Sequence, residues 1–188
     1  MGSVLALAAA SSNAATFSSA GDIATQKDVV VIPFSLNADA TNIRIWTDSY
    51  LGGVNFDPIT AVWKGDGTLI DQNDDNPNIA PGQTVFDSGL TFATLGKGNY
   101  FFTVATYNNF ANGTHLSDGF HYDSQAAVPL QTWCQPASHC AMGTHFSVHL
   151  DGVDAASPPV PEPSTYAMLL AGLAIVPVMA RRQRKKQA

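Results

Sequence analysis

The sequence predicts an all-β protein, an antiparallel β-sandwich of jelly-roll type, followed by a single C-terminal transmembrane helix. Three observations predict it. Of the 15 acidic residues all but Glu162 are Asp, a residue of turns and loop ends rather than of helices. Short runs of β-branched and aromatic residues recur between clusters of Gly, Asn, Asp and Pro, as strands do between turns. An uncharged apolar stretch at 166–180 then runs into a group of cations.

Taken in order, residues 4–10 form an apolar run, and Ser12-Asn13-Ala14 offers small residues at both positions a signal peptidase requires. No cation precedes the run, so residues 1–15 read as a partial signal peptide. Residues 16–155 form the sandwich. Its first strand is read at 29–36, where Pro33 suggests a sheet edge or a bulge. A second at 41–49 places Ile43, Ile45 and Thr47 on one face. A third at 59–63 aligns Ile59, Ala61 and Trp63, which marks Trp63 as a core residue. Gly65-Asp66-Gly67 then turns the chain into a strand at 68–71, a hairpin. Strands at 89–95 and 100–107 read as a second hairpin around Gly96-Lys97-Gly98. The stretch 100–105 is apolar on both faces and belongs at the centre of a sheet. The strand at 144–150 alternates Phe146, Val148 and Leu150 with His145, Ser147 and His149. About seven strands in a body of this length imply two facing sheets.

Residues 156–164 are a proline-rich linker containing Pro161-Glu162-Pro163, which continues neither a sheet nor a helix. Residues 165–188 read as a membrane helix with a basic tail. The apolar run would span ~22 Å as a helix, against ~30 Å of hydrocarbon, and snorkelling arginines shorten the deficit. Arg181, Arg182, Arg184, Lys185 and Lys186 form a cytoplasmic stop signal that leaves the body outside. Ahead of residue 161 the balance is 4 basic against 14 acidic residues, or 4 − 14 = −10, so the body repels nucleic acid.

Pro-Glu-Pro, a short apolar helix and an Arg-rich end, in that order, resemble the PEP-CTERM signal of Gram-negative bacteria. The resemblance implies that Pro161, Glu162 and Pro163 are the processing site of an exosortase. It also implies a transient inner-membrane anchor and delivery to the cell surface or the extracellular matrix. The body resembles a β-sandwich family found among such cargo. The residues that carry this are Phe56-Asp57-Pro58, Trp63 to Gly67, Asn73-Asp74-Asp75, Gly98-Asn99-Tyr100, Tyr107-Asn108-Asn109-Phe110, Ser117-Asp118-Gly119-Phe120 and Asp151-Gly152-Val153-Asp154. That family is similar to bacterial pre-peptidase C-terminal domains. The resemblance implies a fold and an address, but no reaction.

Candidate chemistry is sparse. Asp71, Asn73, Asp74 and Asp75 share a loop, and Asp57 lies at the start of the same hairpin. Hard oxygen ligands on a loop suit structural calcium, although the spacing is not that of an EF-hand and turn capping accounts for the same residues. Cys134 and Cys140 are the only cysteines, and in an exported chain such a pair reads as a disulfide. His145 and His149 stand ~13 Å apart on a strand, too far to share a metal. Among the tryptophans, Trp133, beside Cys134, is the best exposed candidate for contact with a glycan. No nucleophile elbow occurs, and no two aspartates are singled out as a glycosidase pair. The leading expectation is therefore a non-enzymatic surface or matrix protein. A carbohydrate-binding module gripping exopolysaccharide and a secreted hydrolase are the alternatives.

Overall fold

The computed structural model describes residues 16–136 and 139–159. Nine strands occur there: β1 (Phe17–Asp22), β2 (Val29–Leu36), β3 (Ala40–Thr47), β4 (Pro58–Lys64), β5 (Leu69–Asn73), β6 (Gly89–Leu95), β7 (Gly98–Thr106), β8 (His145–Asp151) and β9 (Ala155–Ala156). They form a four-stranded sheet in the order β1-β8-β3-β6 and a five-stranded sheet in the order β5-β4-β7-β2-β9, every pairing antiparallel.

Two-residue alternation fixes which side of each strand is buried. In β2, Val30, Ile32, Phe34 and Leu36 point inward; in β8, Phe146, Val148 and Leu150 do so. With Ile43, Ile45, Phe102 and Val104 they make one core between the sheets. Fully burying a side chain such as Ile32 or Phe102 is worth roughly 1.5–3 kcal/mol.

The tyrosine- and phenylalanine-rich strand β7 is central, flanked by β4 and β2. Its second face is covered too. Ala61, Trp63 and Phe120 form a separate core outside the five-stranded sheet, with Val29, Leu69, Phe101, Ala111 and Leu116 packed on it. The Trp63 indole N–H donates to Thr103 Oγ1 at 3.0 Å, and its ring meets Phe120 edge to face. Trp63 is thus a core residue as expected, but of this outer core; it is Val62, on the other face of β4, that joins the inter-sheet core. The segment after β7 supplies the cover, and it includes the 3₁₀ turn Leu116–Asp118, the one helical element among the described residues.

The hairpin around residues 65–67 forms as expected, with Lys64 N donating to Thr68 O at 2.8 Å. The hairpin expected around Gly96-Lys97-Gly98 does not. Strand β6 pairs with β3 (Ile43 opposite Phe92), whereas β7 lies in the other sheet, so these glycines carry the chain across the sandwich. The reason is burial. A strand apolar on both faces requires neighbours on both edges and cover on both sides, and β6, whose Thr91, Ala93 and Thr94 are exposed, supplies neither. Lys97 N donates to Asp39 Oδ1, and the Tyr100 hydroxyl to Gly96 O, which fixes the crossing.

Strand β1 gave little sequence signal, because Phe17 and Ala20 are its only apolar residues; it is defined by its pairing with β8, from Phe17 opposite Leu150 to Asp22 opposite His145. Pro33 sits where a missing N–H is tolerated. Beyond β2 on that side lies only the two-residue β9, and the Pro33 carbonyl accepts a bond from Ser157 N at 2.9 Å. Among the described residues no helix is long and apolar enough to cross a membrane. The expected signal peptide at 1–15, the sorting tripeptide and the helix at 165–188 lie outside the described residues.

Candidate functional site

Three segments meet at one end of the five-stranded sheet: the residues entering β4, the loop leaving β5, and the loop that holds Cys134 and Cys140. Strand β4 begins at Pro58, which fixes Asp57 just before it, and Asp57 O accepts from Tyr107 N at 2.8 Å. Strand β5 ends at Asn73, opposite Thr60, so Asp74 and Asp75 leave the sheet edge beside Asp57. Gly89 opens β6 in the four-stranded sheet. A Cβ there would lie 2.5 Å from Ile45 O, so only glycine lets β6 start against β3.

The result is a small pocket of about 190 Å³ lined by Asp57, Asp74, Asp75, Phe86, Tyr107 and Gln135. One carboxylate oxygen from each aspartate lies within 4.8 Å of the others. Asp57 is only 6% exposed. Its Oδ2 accepts from Gln135 Nε2 at 3.0 Å, while its Oδ1 is buried without a hydrogen-bond partner. Asp74 Oδ1 and Asn73 Oδ1 are likewise buried and unpartnered.

Burial, and then repulsion from Asp74 and Asp75, push the Asp57 carboxyl up to about 8 against the relief of the Gln135 bond; Asp87 adds a smaller repulsion. Burial and then Asp75 push Asp74 up to about 6, and burial raises Asp75. Burial, followed by the charges of Asp57, Asp75 and Asp87, also raises the Tyr50 phenol. Carboxylates this close stay ionised together only when a cation offsets them, and otherwise some of them hold protons.

The other aspartates behave differently. Asp28, Asp66, Asp118 and Asp123 accept from nearby backbone N–H groups, as turn-capping residues do. Asp87, which sequence reasoning did not single out, is fully buried. It accepts from Thr47 Oγ1, Tyr50 N, Thr84 N and Thr84 Oγ1 and ties two loops together. Gln135 was also missed; nothing in the sequence signals that a residue so far from Asp57 reaches it.

Of the residues expected to hold calcium, the structure brings together Asp57, Asp74 and Asp75. Asp71 is a correction. It is exposed on β5 opposite Val62 and accepts from Gln72 N, because alternation along the strand turns it away from the pocket. Cys134 and Cys140 form the expected disulfide. Trp133 is the candidate glycan contact. It is half-buried, packed on the inter-sheet core with its ring edge to face with Tyr122, because the disulfide loop folds back over the sandwich. His149 bonds Ser18 Oγ and Asp48 Oδ2 and stacks on Trp46, so it belongs to the outer face of its sheet.

Beyond β9 the described chain reaches residue 159, and the sequence continues into the proline linker and the apolar run. Residues 159–185 match the PEP-CTERM protein-sorting motif. The chain carries a PEP-CTERM sorting signal. This PEP-CTERM segment takes in Pro161, Glu162, Pro163, Arg181, Arg182, Arg184 and Lys185; Lys186 falls just beyond it. It implies export, membrane-associated sorting and processing by an exosortase. Among curated proteins, none matches the chain.

Proposed function

We propose that this chain is a non-enzymatic structural or adhesive module. In this reading it is anchored transiently in the inner membrane, cut by an exosortase near Pro161, Glu162 and Pro163, and delivered to the surface or extracellular matrix of a Gram-negative bacterium. The PEP-CTERM match at 159–185 is the observation that carries the reading. Three features of the body support it. A disulfide joins Cys134 and Cys140, as suits an oxidising compartment. The portion before residue 161 carries a formal charge of 4 − 14 = −10, which disfavours nucleic acid as a partner. The buried carboxylate of Asp87 and the Thr60–Ser88 hydroxyl pair hold loops in place. The five cations at 181–186 then act as the stop signal on the cytoplasmic side.

Binding of exopolysaccharide is the weaker reading, because the tryptophan expected to serve as its platform packs on the core. The test is to replace Pro161, Glu162 and Pro163 by alanine in a host with an exosortase. The variant should stay uncut in the membrane fraction while the parent is processed. Equal processing of both would refute the sorting role of the tripeptide.

A further inference from the structure

We infer that the pocket between the start of β4, the loop after β5 and the Cys134–Cys140 loop is a calcium site with Asp57, Asp74 and Asp75 as its carboxylate ligands. The inference does not depend on the sorting reading. An acidic cluster alone would not carry it. What carries it is Asp57: a side chain 6% exposed, lining the pocket, with Oδ1 shut off from both solvent and hydrogen-bond donors. Leaving a buried carboxylate oxygen unpartnered costs more than leaving a neutral one, so such an atom points to a missing positive partner. Asp74 Oδ1 repeats the pattern on the facing loop. The two ion pairs among the described residues, Arg44–Asp151 and His149–Asp48, leave these three carboxylates without a basic partner.

The donor set selects the cation. Only oxygens converge, with no imidazole or thiolate among them, which disfavours zinc and copper and favours a hard ion. The ligands come from two distant segments of chain and include an exposed residue, Asp75. Calcium tolerates such irregular geometry, whereas magnesium demands a near-ideal octahedron and keeps most of its waters. Asn73 Oδ1, buried and unpartnered beside Asp74 at the end of β5, is a further candidate oxygen for the same ion. With all three carboxylates ionised, a divalent ion would bring the local charge from −3 to −1. It would join the β5 loop to Asp57 and, through Gln135, to the disulfide loop.

The test uses the full-length chain in mild detergent, stripped with EGTA and titrated calorimetrically with calcium chloride and with magnesium chloride. Saturable calcium uptake is expected with Kd on the order of 0.1–1 mM, as in extracellular sites, and with magnesium weaker. Calcium at 10 mM (~10–100 times that Kd) should raise the melting midpoint by roughly 5–10 °C. Asp57→Asn and Asp74→Asn should each weaken uptake at least ~10-fold, whereas Asp71→Asn should leave it unchanged. In EGTA above pH 8, where both carboxyls are ionised, both pocket variants should melt no lower than the parent, because each removes a repelling charge, and that separates a lost ligand from a damaged fold. Lack of saturable uptake by the parent, uptake retained by both pocket variants, or magnesium binding as tight as calcium would each overturn the assignment.

Discussion

Gln135 Nε2 donates to Asp57 Oδ2 at 3.0 Å across 78 residues of sequence, and this bond joins the disulfide loop to the entrance of β4. Both residues are buried, Gln135 at 4% exposure and Asp57 at 6%. Removing the amide strands a buried carboxylate. Gln135→Ala is therefore expected to destabilise the protein by about 1–3 kcal/mol in EGTA, read from the shift of a urea unfolding midpoint.

The outer core gives a second prediction. Trp63 is fully buried against Phe120 and bonded to Thr103. Trp63→Ala should cost about 3–5 kcal/mol from lost burial and the cavity left behind. Trp63→Phe should cost less. It keeps most of the volume and loses the indole bond, so a urea series on both variants separates packing from hydrogen bonding.

The disulfide gives a third. Cys134 and Cys140 are six residues apart, and closing so short a loop limits the unfolded chain modestly. The double variant Cys134→Ser/Cys140→Ser should lose roughly 2 kcal/mol, and reducing agent should lower the midpoint of the parent but not of the variant.

The pH dependence follows from the raised carboxyls. In the unfolded chain Asp57 and Asp74 titrate near the ordinary carboxylate value of ~3.9; in the fold they titrate at about 8 and about 6. Between those values the folded state holds protons that the unfolded state has released. Without a cation, the share of stability these two carboxyls contribute should therefore be greatest below pH ~4 and decline as pH rises, Asp74 finishing its part near 6 and Asp57 near 8, whereas Asp66, whose carboxyl is lowered, contributes with the opposite sign. Calcium requires the ionised forms, so the gain in midpoint it gives should be larger at pH 8 than at pH 5. Thermal scans across that range, with and without EGTA, check both signs.

Local periodicity made much of the fold legible. The alternation in β8 and the two-sided apolar run in β7 each placed their strand correctly, because burial is written residue by residue. What failed was long-range pairing. Gly96-Lys97-Gly98 has the chemistry of a hairpin, yet the chain crosses between sheets there, since the partner of a strand depends on neighbours far away in sequence. Strand β1 was invisible for the same reason: Ser18, Ser19 and Gly21 carry little strand preference, and pairing with β8 defines them. In the site, residue type and proximity on one loop were enough to single out Asp74 and Asp75 and to couple Asp57 to them. They were not enough to exclude Asp71, whose direction is set by the pleat, or to find Gln135, which reaches the pocket only through the tertiary fold.

Mass spectrometry of the C-terminus of the protein recovered from outside the inner membrane tests the central reading most directly. The account predicts that an exosortase-bearing host yields a mature chain ending near Pro161–Pro163, with Arg181 and the cations after it gone. A mature chain that still carries those cations would contradict it.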